Sequence, residues 1–120
     1  VNSRIEKGIG GESLVALHLM QEGYTILHRN YRKSYGEVDI IAQKDDVIAF
    51  VEVKWRKSPL IDPAEVITLS KQKKITTIAK LFLSLHTNGD VVCRFDAALI
   101  EEHNNSLELR YIPNAFSAFD

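Results

Sequence analysis

With one cysteine in 120 residues the chain cannot form an intramolecular disulfide, so its core must hold it together. That residue, Cys93, lies in the strand-like run 91–95 and reads as a buried structural thiol. His18, His28, His86 and His103 show no metal-ligand spacing, and there is no Cys/His zinc pattern, Walker loop or nucleophile motif. No apolar run is long enough to cross a membrane and no signal-peptide pattern is seen, so the expectation is a cytoplasmic protein without a membrane partner. Neither sign of charge prevails. Fifteen Lys and Arg against 16 Asp and Glu leave a net charge of −1, which argues against a nonspecific nucleic-acid coat protein but not against local basic patches. What remains is ordinary globular composition, 45% hydrophobic and 26% charged, and a length that predicts one domain over 1–120.

Periodicity orders the chain as helix (5–22), strands (24–31, 36–43, 47–55), a break, helix (70–86) and strands (91–100, 107–112). This predicts an α/β domain with a central mixed sheet flanked by helices. The first helix has the stripe Val15, Ala16, Leu19 and Met20; the second has Ile75, Ile78, Ala79, Phe82 and Leu85, with Ser70 as its N-cap. Two of the three prolines, Pro59 and Pro63, fall in the break, where 58–68 is expected to be the most mobile internal segment and to order on DNA. Asn104-Asn105-Ser106 is a hairpin turn, and Phe116 and Phe119 on the tail dock on the core or on a partner.

Two charged clusters stand inside otherwise buried-looking strands: Gly36-Glu37-Val38-Asp39 and Glu52-Val53-Lys54. Charges in such runs are costly unless paired or bound. With Asp45-Asp46 as a two-residue turn, Asp39 lies opposite Glu52 and Glu37 opposite Lys54, with opposed Cβ atoms roughly 4.5–5.5 Å apart. Glu37, Asp39, Glu52 and Lys54 then share one face, and Val38, Ile40, Val51 and Val53 the other. Neighbouring carboxylates need a proton or a cation between them. Mg²⁺ (or Mn²⁺) suits Asp39 and Glu52 with the backbone carbonyl of Val53 as a third ligand, and Lys54 would then stand beside a phosphodiester. The plainer alternative is a set of cross-strand ion pairs, Glu37–Lys54 and Asp39–Lys54, on a solvated face.

Glu12 points along the buried stripe of the first helix, either as a helix-start carboxylate favoured by the dipole or as an acid delivered to the site. Gln72 lies on the inner side of the second helix, with Lys71 similarly placed, and the glutamine either satisfies backbone groups or orients water or phosphate. Basic residues gather in three segments, among them Arg29, Arg32, Arg56, Lys71 and Lys74, with Tyr31, Tyr35 and Trp55 interleaved. If the segments face one side they form a phosphate-binding rim; each taken singly is a solvated surface. Arg94 and Asp96 read as a structural pair.

With these residues in order, the chain resembles the bacterial YraN family of uncharacterised proteins, in the PD-(D/E)xK or restriction-endonuclease-like superfamily and related to archaeal Holliday-junction resolvases. The resemblance runs from Gly8-Ile9-Gly10-Gly11-Glu12 through Gly36-Glu37-Val38-Asp39 and Phe50-Val51-Glu52-Val53-Lys54 to Lys71-Gln72-Lys73-Lys74. It implies Asp39 and Glu52 as metal ligands, Lys54 as catalytic lysine, Glu12 as accessory acid and Gln72 as a supporting residue. Trp55 stands where many relatives carry a small polar residue; it stacks on a base or covers the core edge, the second being preferred. Glu37, opposite Lys54, would position that lysine. The expected function is a Mg²⁺-dependent DNA endonuclease acting on branched or single-stranded DNA, with a homodimer if a junction is cut symmetrically. The alternative is an inactive nucleic-acid-binding module of the same fold.

Overall fold

A computed structural model describes residues 10–56, 67–87 and 89–118, with the side chains of Arg56 and His103 outside the description. Its elements are α1 (Gly11–Gln21), β1 (Thr25–Lys33), β2 (Gly36–Lys44), β3 (Val47–Arg56), α2 (Leu69–His86), β4 (Val92–His103) and β5 (Ser106–Phe116). The five strands form one sheet in sequence order. β3 and β4 are parallel, joined through α2, and every other neighbouring pair is antiparallel. The predicted mixed sheet with flanking helices is therefore present.

Each helix covers its own face. Val38, Ile41, Ile48, Phe50, Phe95 and Ala97 pack with Ile75, Ile78, Ala79 and Phe82 of α2. Ile40, Ala42, Ala49, Val51, Ala98 and Ile100 pack with Val15, Ala16 and Leu19 of α1. Covering on both faces explains why the middle of β4, from Phe95 to Glu101, is buried throughout.

The turn chemistry acts where expected. Asn104 and Asn105 both have positive φ, 44° and 66°, as a two-residue hairpin turn that matches strand twist requires. The β2–β3 register runs from Lys44–Val47 to Ile40–Val51, as the Asp45-Asp46 turn predicts. Phe116 docks on the core, stacked on Phe95 with ring centroids 4.9 Å apart; Phe119 lies outside the described residues.

Several expectations are corrected. Gly10 has φ 80° and ψ 154°, which is not helical, so α1 begins at Gly11; residues 5–9 of the expected helix lie outside the described residues. Thr68, not Ser70, caps α2, its hydroxyl accepting the Lys71 N–H at 3.2 Å. Ile67 is buried and Thr68 is the cap, so the end of the break is anchored; 57–66 lie outside the described residues. Met20 and Leu85 are exposed, so the buried stripes narrow to Val15, Ala16 and Leu19 on α1 and to Ile75, Ile78, Ala79 and Phe82 on α2. Cys93 is half-buried, and burial, then the Asp96 charge, push its thiol up to about 11, which leaves it protonated and unreactive.

Candidate active site

The β2–β3 ladder stops one pair short of the carboxylates. Beyond Ile40–Val51 the two strands no longer pair, so the predicted ladder pairs Asp39–Glu52 and Glu37–Lys54 do not form. The alternation of β2 also breaks here. Val38 joins the α2-side core while Ile40 joins the α1-side core, so they do not share the face that strict alternation assigns them. Asn30, between the pairs Arg29–Ile40 and Tyr31–Val38 on β1, has φ 53°, a left-handed conformation that Asn tolerates and that disturbs the pleat.

The opening is bridged by a side chain. Asp39 Oδ2 accepts the backbone N–H of Val53 at 2.8 Å. In an extended strand the N–H and C=O of one residue face the same edge, so the Val53 carbonyl faces the same opening. Asp39 is thereby fixed beside Glu52 through the backbone of β3.

Glu52 is only 2% exposed. Its Oε1 pairs with Lys71 Nζ from the first turn of α2. Among the described residues, its Oε2 is buried and has no hydrogen-bond partner. Burial first, then the charge of Asp39, push this carboxyl up to about 7 against the opposing pull of Lys71 and Lys54. Burial works against the charge on Lys71, but the Glu52 hydrogen bond and the charges of Glu52, Asp39 and Glu37 hold its ammonium above the usual lysine range. Lys71, placed by the sequence in a phosphate-binding rim, is thus part of the centre itself. The signal was its inner position on the helix.

The remaining residues fall to either side. Glu12 accepts from Arg29 Nε at 3.1 Å and Asn30 Nδ2 at 3.0 Å, tying α1 to β1 next to the irregular Asn30. Glu37 does not position Lys54; it accepts from Arg32 Nε and pairs with Arg32 Nη2, both at 3.0 Å, because the β1–β2 register sets Arg32 opposite it. The Gln72 amide donates to the Ile67 carbonyl at 2.9 Å, which stabilises the entry to α2. Lys74 packs its stem against Gly36, where an added Cβ would lie 3.3 Å from Lys74 Cβ. Arg29, Arg32 and Lys71 are therefore each held by a carboxylate rather than standing as independent rim charges. Tyr31 packs edge-on against Phe82 and belongs to the core. Trp55 is 38% exposed, with its ring beside Gly11, where a Cβ would come within 3.0 Å of it.

Oxygen chemistry at the centre fits a hard divalent ion. Among the described residues no three His, Cys, Asp or Glu side chains could hold a metal by themselves. Mg²⁺ asks for less, one or two carboxylates with the rest from water and phosphate. Asp39, the orphaned Glu52 Oε2 and the Val53 carbonyl meet that requirement.

A family model described as "Uncharacterised protein family UPF0102" matches residues 11–100. The chain belongs to the UPF0102 family. This is the YraN family of the sequence resemblance. A UPF0102 protein of Nitrosomonas europaea is 40% identical over 117 residues, covering 97% of this chain and 98% of the relative. A UPF0102 protein of Desulfosudis oleivorans is 42% identical over 119 residues, covering 98% and 95%. One of Clostridium perfringens is 42% identical over 118 residues, covering 94% and 97%. The UPF0102 match encloses Glu12, Asp39, Glu52, Lys54 and Gln72, but none of these names states an activity, so the chemistry rests on the site. No helix among the described residues is long and apolar enough to cross a membrane.

Proposed function

We propose that this UPF0102 protein is a Mg²⁺- or Mn²⁺-dependent endonuclease that hydrolyses phosphodiester bonds in DNA, with branched or single-stranded DNA as its substrates. The observation that carries this reading is the buried, unpartnered Glu52 Oε2 next to a second carboxylate, Asp39, which is itself fixed on the Val53 N–H. A divalent ion held by Asp39, Glu52 and the Val53 carbonyl would supply Lewis acidity toward a phosphate oxygen and a more acidic water.

The chain's own groups do the rest. The Val53 N–H holds the Asp39 carboxylate in one orientation, so little reordering is needed when the site loads. Lys54, one residue beyond the Val53 carbonyl, places an ammonium where negative charge builds on the phosphate in the transition state. Arg32, held by Glu37, and Arg29, held by Glu12, present oriented guanidinium groups on β1 for flanking phosphates. The superfamily relation implied by the sequence agrees with this division of roles. A homodimer enters only if four-way junctions are cut symmetrically, since that needs two sites.

Purified protein is assayed with Mg²⁺ or Mn²⁺ on duplex, flap, single-stranded and four-way-junction DNA. Cleavage of at least one substrate that disappears in Asp39→Asn and Lys54→Met supports the proposal, provided both variants keep their circular dichroism. If the wild type cuts none of the four, the enzyme reading fails; DNA binding without cleavage would then identify an inactive binding module.

A further inference from the structure

The Glu52 carboxylate has two claimants. Lys71 Nζ already holds Oε1, while Oε2 is left for a cation. Lys71 stands in the first turn of α2, where the helix dipole disfavours a cation, and that turn has no acidic residue to compensate. Helix stability therefore does not account for a lysine at this position, but its contact with Glu52 does. The Lys71 side chain is 36% exposed, so its ammonium spans the boundary between the buried carboxylate and solvent. A lysine stem of four flexible carbons can swing between two partners on that boundary.

The charges around this carboxylate are balanced. Asp39, Glu52 and Glu37 contribute three negative charges, and Lys54, Lys71 and the Arg32 that pairs with Glu37 three positive ones. A divalent ion entering this neutral set meets the Lys71 ammonium at a carboxylate they must share, which opposes its binding. A phosphodiester anion arriving from the solvent side gives that ammonium a new partner and frees Glu52 for the ion.

We infer that Lys71 couples metal binding to substrate binding: it competes with the divalent ion for Glu52 and is drawn off by the incoming phosphodiester. The inference rests on the reading of Asp39 and Glu52 as metal ligands. It makes Lys71 a positioning residue that keeps the centre poor in metal until DNA is present. Because such coupling is reciprocal, the metal tightens DNA binding by the same factor.

The test measures Mn²⁺ affinity by calorimetry at about pH 8, where carboxylates tend to be ionised, with and without a phosphorothioate four-way junction that resists cleavage. In the wild type the junction tightens Mn²⁺ binding by about ten-fold or more. In Lys71→Met the coupling falls to about two-fold or less, and Mn²⁺ binds the DNA-free variant more tightly than it binds the DNA-free wild type. Lys71→Gln, which keeps a polar group beside Glu52, gives the same loss of coupling and serves if the methionine variant does not fold. Equal coupling in wild type and variants, with Mn²⁺ binding still abolished by Asp39→Asn, overturns the role of Lys71 and leaves the metal centre standing. Absence of any Asp39-dependent Mn²⁺ binding, with or without DNA, overturns both.

Discussion

Among the carboxylates buried in the neighbouring parallel strands β3 and β4, the fold treats Asp96 of β4 and Glu52 of β3 in opposite ways. Asp96 is fully buried and saturated with donors. Arg94 Nε donates to both its oxygens at 2.9 and 3.1 Å and Arg94 Nη2 donates at 2.8 Å; the Tyr111 hydroxyl and the Asn114 N–H, at 3.0 Å, complete the set. Arg94 is in turn tied to the Tyr24 hydroxyl, and its guanidinium is held well above its ordinary value, chiefly by the Asp96 hydrogen bond. Burial and the Asp96 charge keep Tyr111 protonated as a donor. Among the described residues Glu52, one ladder step further along, pairs with Lys71 through one oxygen and has no hydrogen-bond partner on the other. A saturated carboxylate locks strands together, whereas an unsaturated one beside a like charge is a candidate binding group.

The sharpest way to break the comparison is to remove the cation from each carboxylate in turn. Arg94→Met strands a fully buried charge and should lower stability by about 3–5 kcal/mol in urea unfolding. Lys71→Met should cost distinctly less, because Glu52, already pushed up to about 7, can take a proton instead. Equal losses in the two variants would mean that Glu52 is a structural group like Asp96.

Acid and base should separate the two carboxylates next. The folded protein holds the Glu52 proton more tightly than the unfolded chain does, from the ordinary 4.5 up to about 7. The folded state thus binds more protons across that window, so stability falls as pH rises through it. Unfolding of the metal-free protein should show a loss of about 2–3 kcal/mol between about pH 5 and about pH 8. Glu52→Gln should flatten that slope, and a slope left unchanged in that variant would assign it to other groups. On the Asp96 side, Tyr111→Phe removes one donor to a charged acceptor and should cost about 1.5 kcal/mol.

The sequence foretold the Arg94–Asp96 pair, because two residues on one strand face can be judged locally. It did not foretell Tyr24, Tyr111 and Asn114 as further partners, since these arrive from the end of α1 and from β5, at separations of up to 70 residues. The β2–β3 register was legible because Asp45-Asp46 and the alternating apolar residues agree. Its early end was not, for that depends on the left-handed Asn30 in the neighbouring strand and on a carboxylate taking the Val53 N–H. Helical periodicity put Lys71 and Gln72 on the inner side of α2, but only the packing of α2 on the sheet decided which reaches Glu52. Gln72 turned back to Ile67, and Lys71 took the carboxylate.

The smallest expected effect on stability is the most telling. Glu52→Gln replaces a carboxylate with an amide of the same shape and removes the repulsion from Asp39. It loses the ion pair with Lys71, whose ammonium is partly exposed and can find solvent. These terms nearly cancel, so stability in urea at neutral pH should change by less than about 1 kcal/mol, in either direction. The isosteric Asp96→Asn must instead turn an N–H toward donors that already surround it, and should cost several times as much. Cleavage should respond in the reverse order, falling by about 10²–10³-fold in Glu52→Gln. An Asp96→Asn protein assayed well below its unfolding temperature should keep most of its activity. A Glu52→Gln protein that loses stability while retaining cleavage would place Glu52 with Asp96 as part of the scaffold.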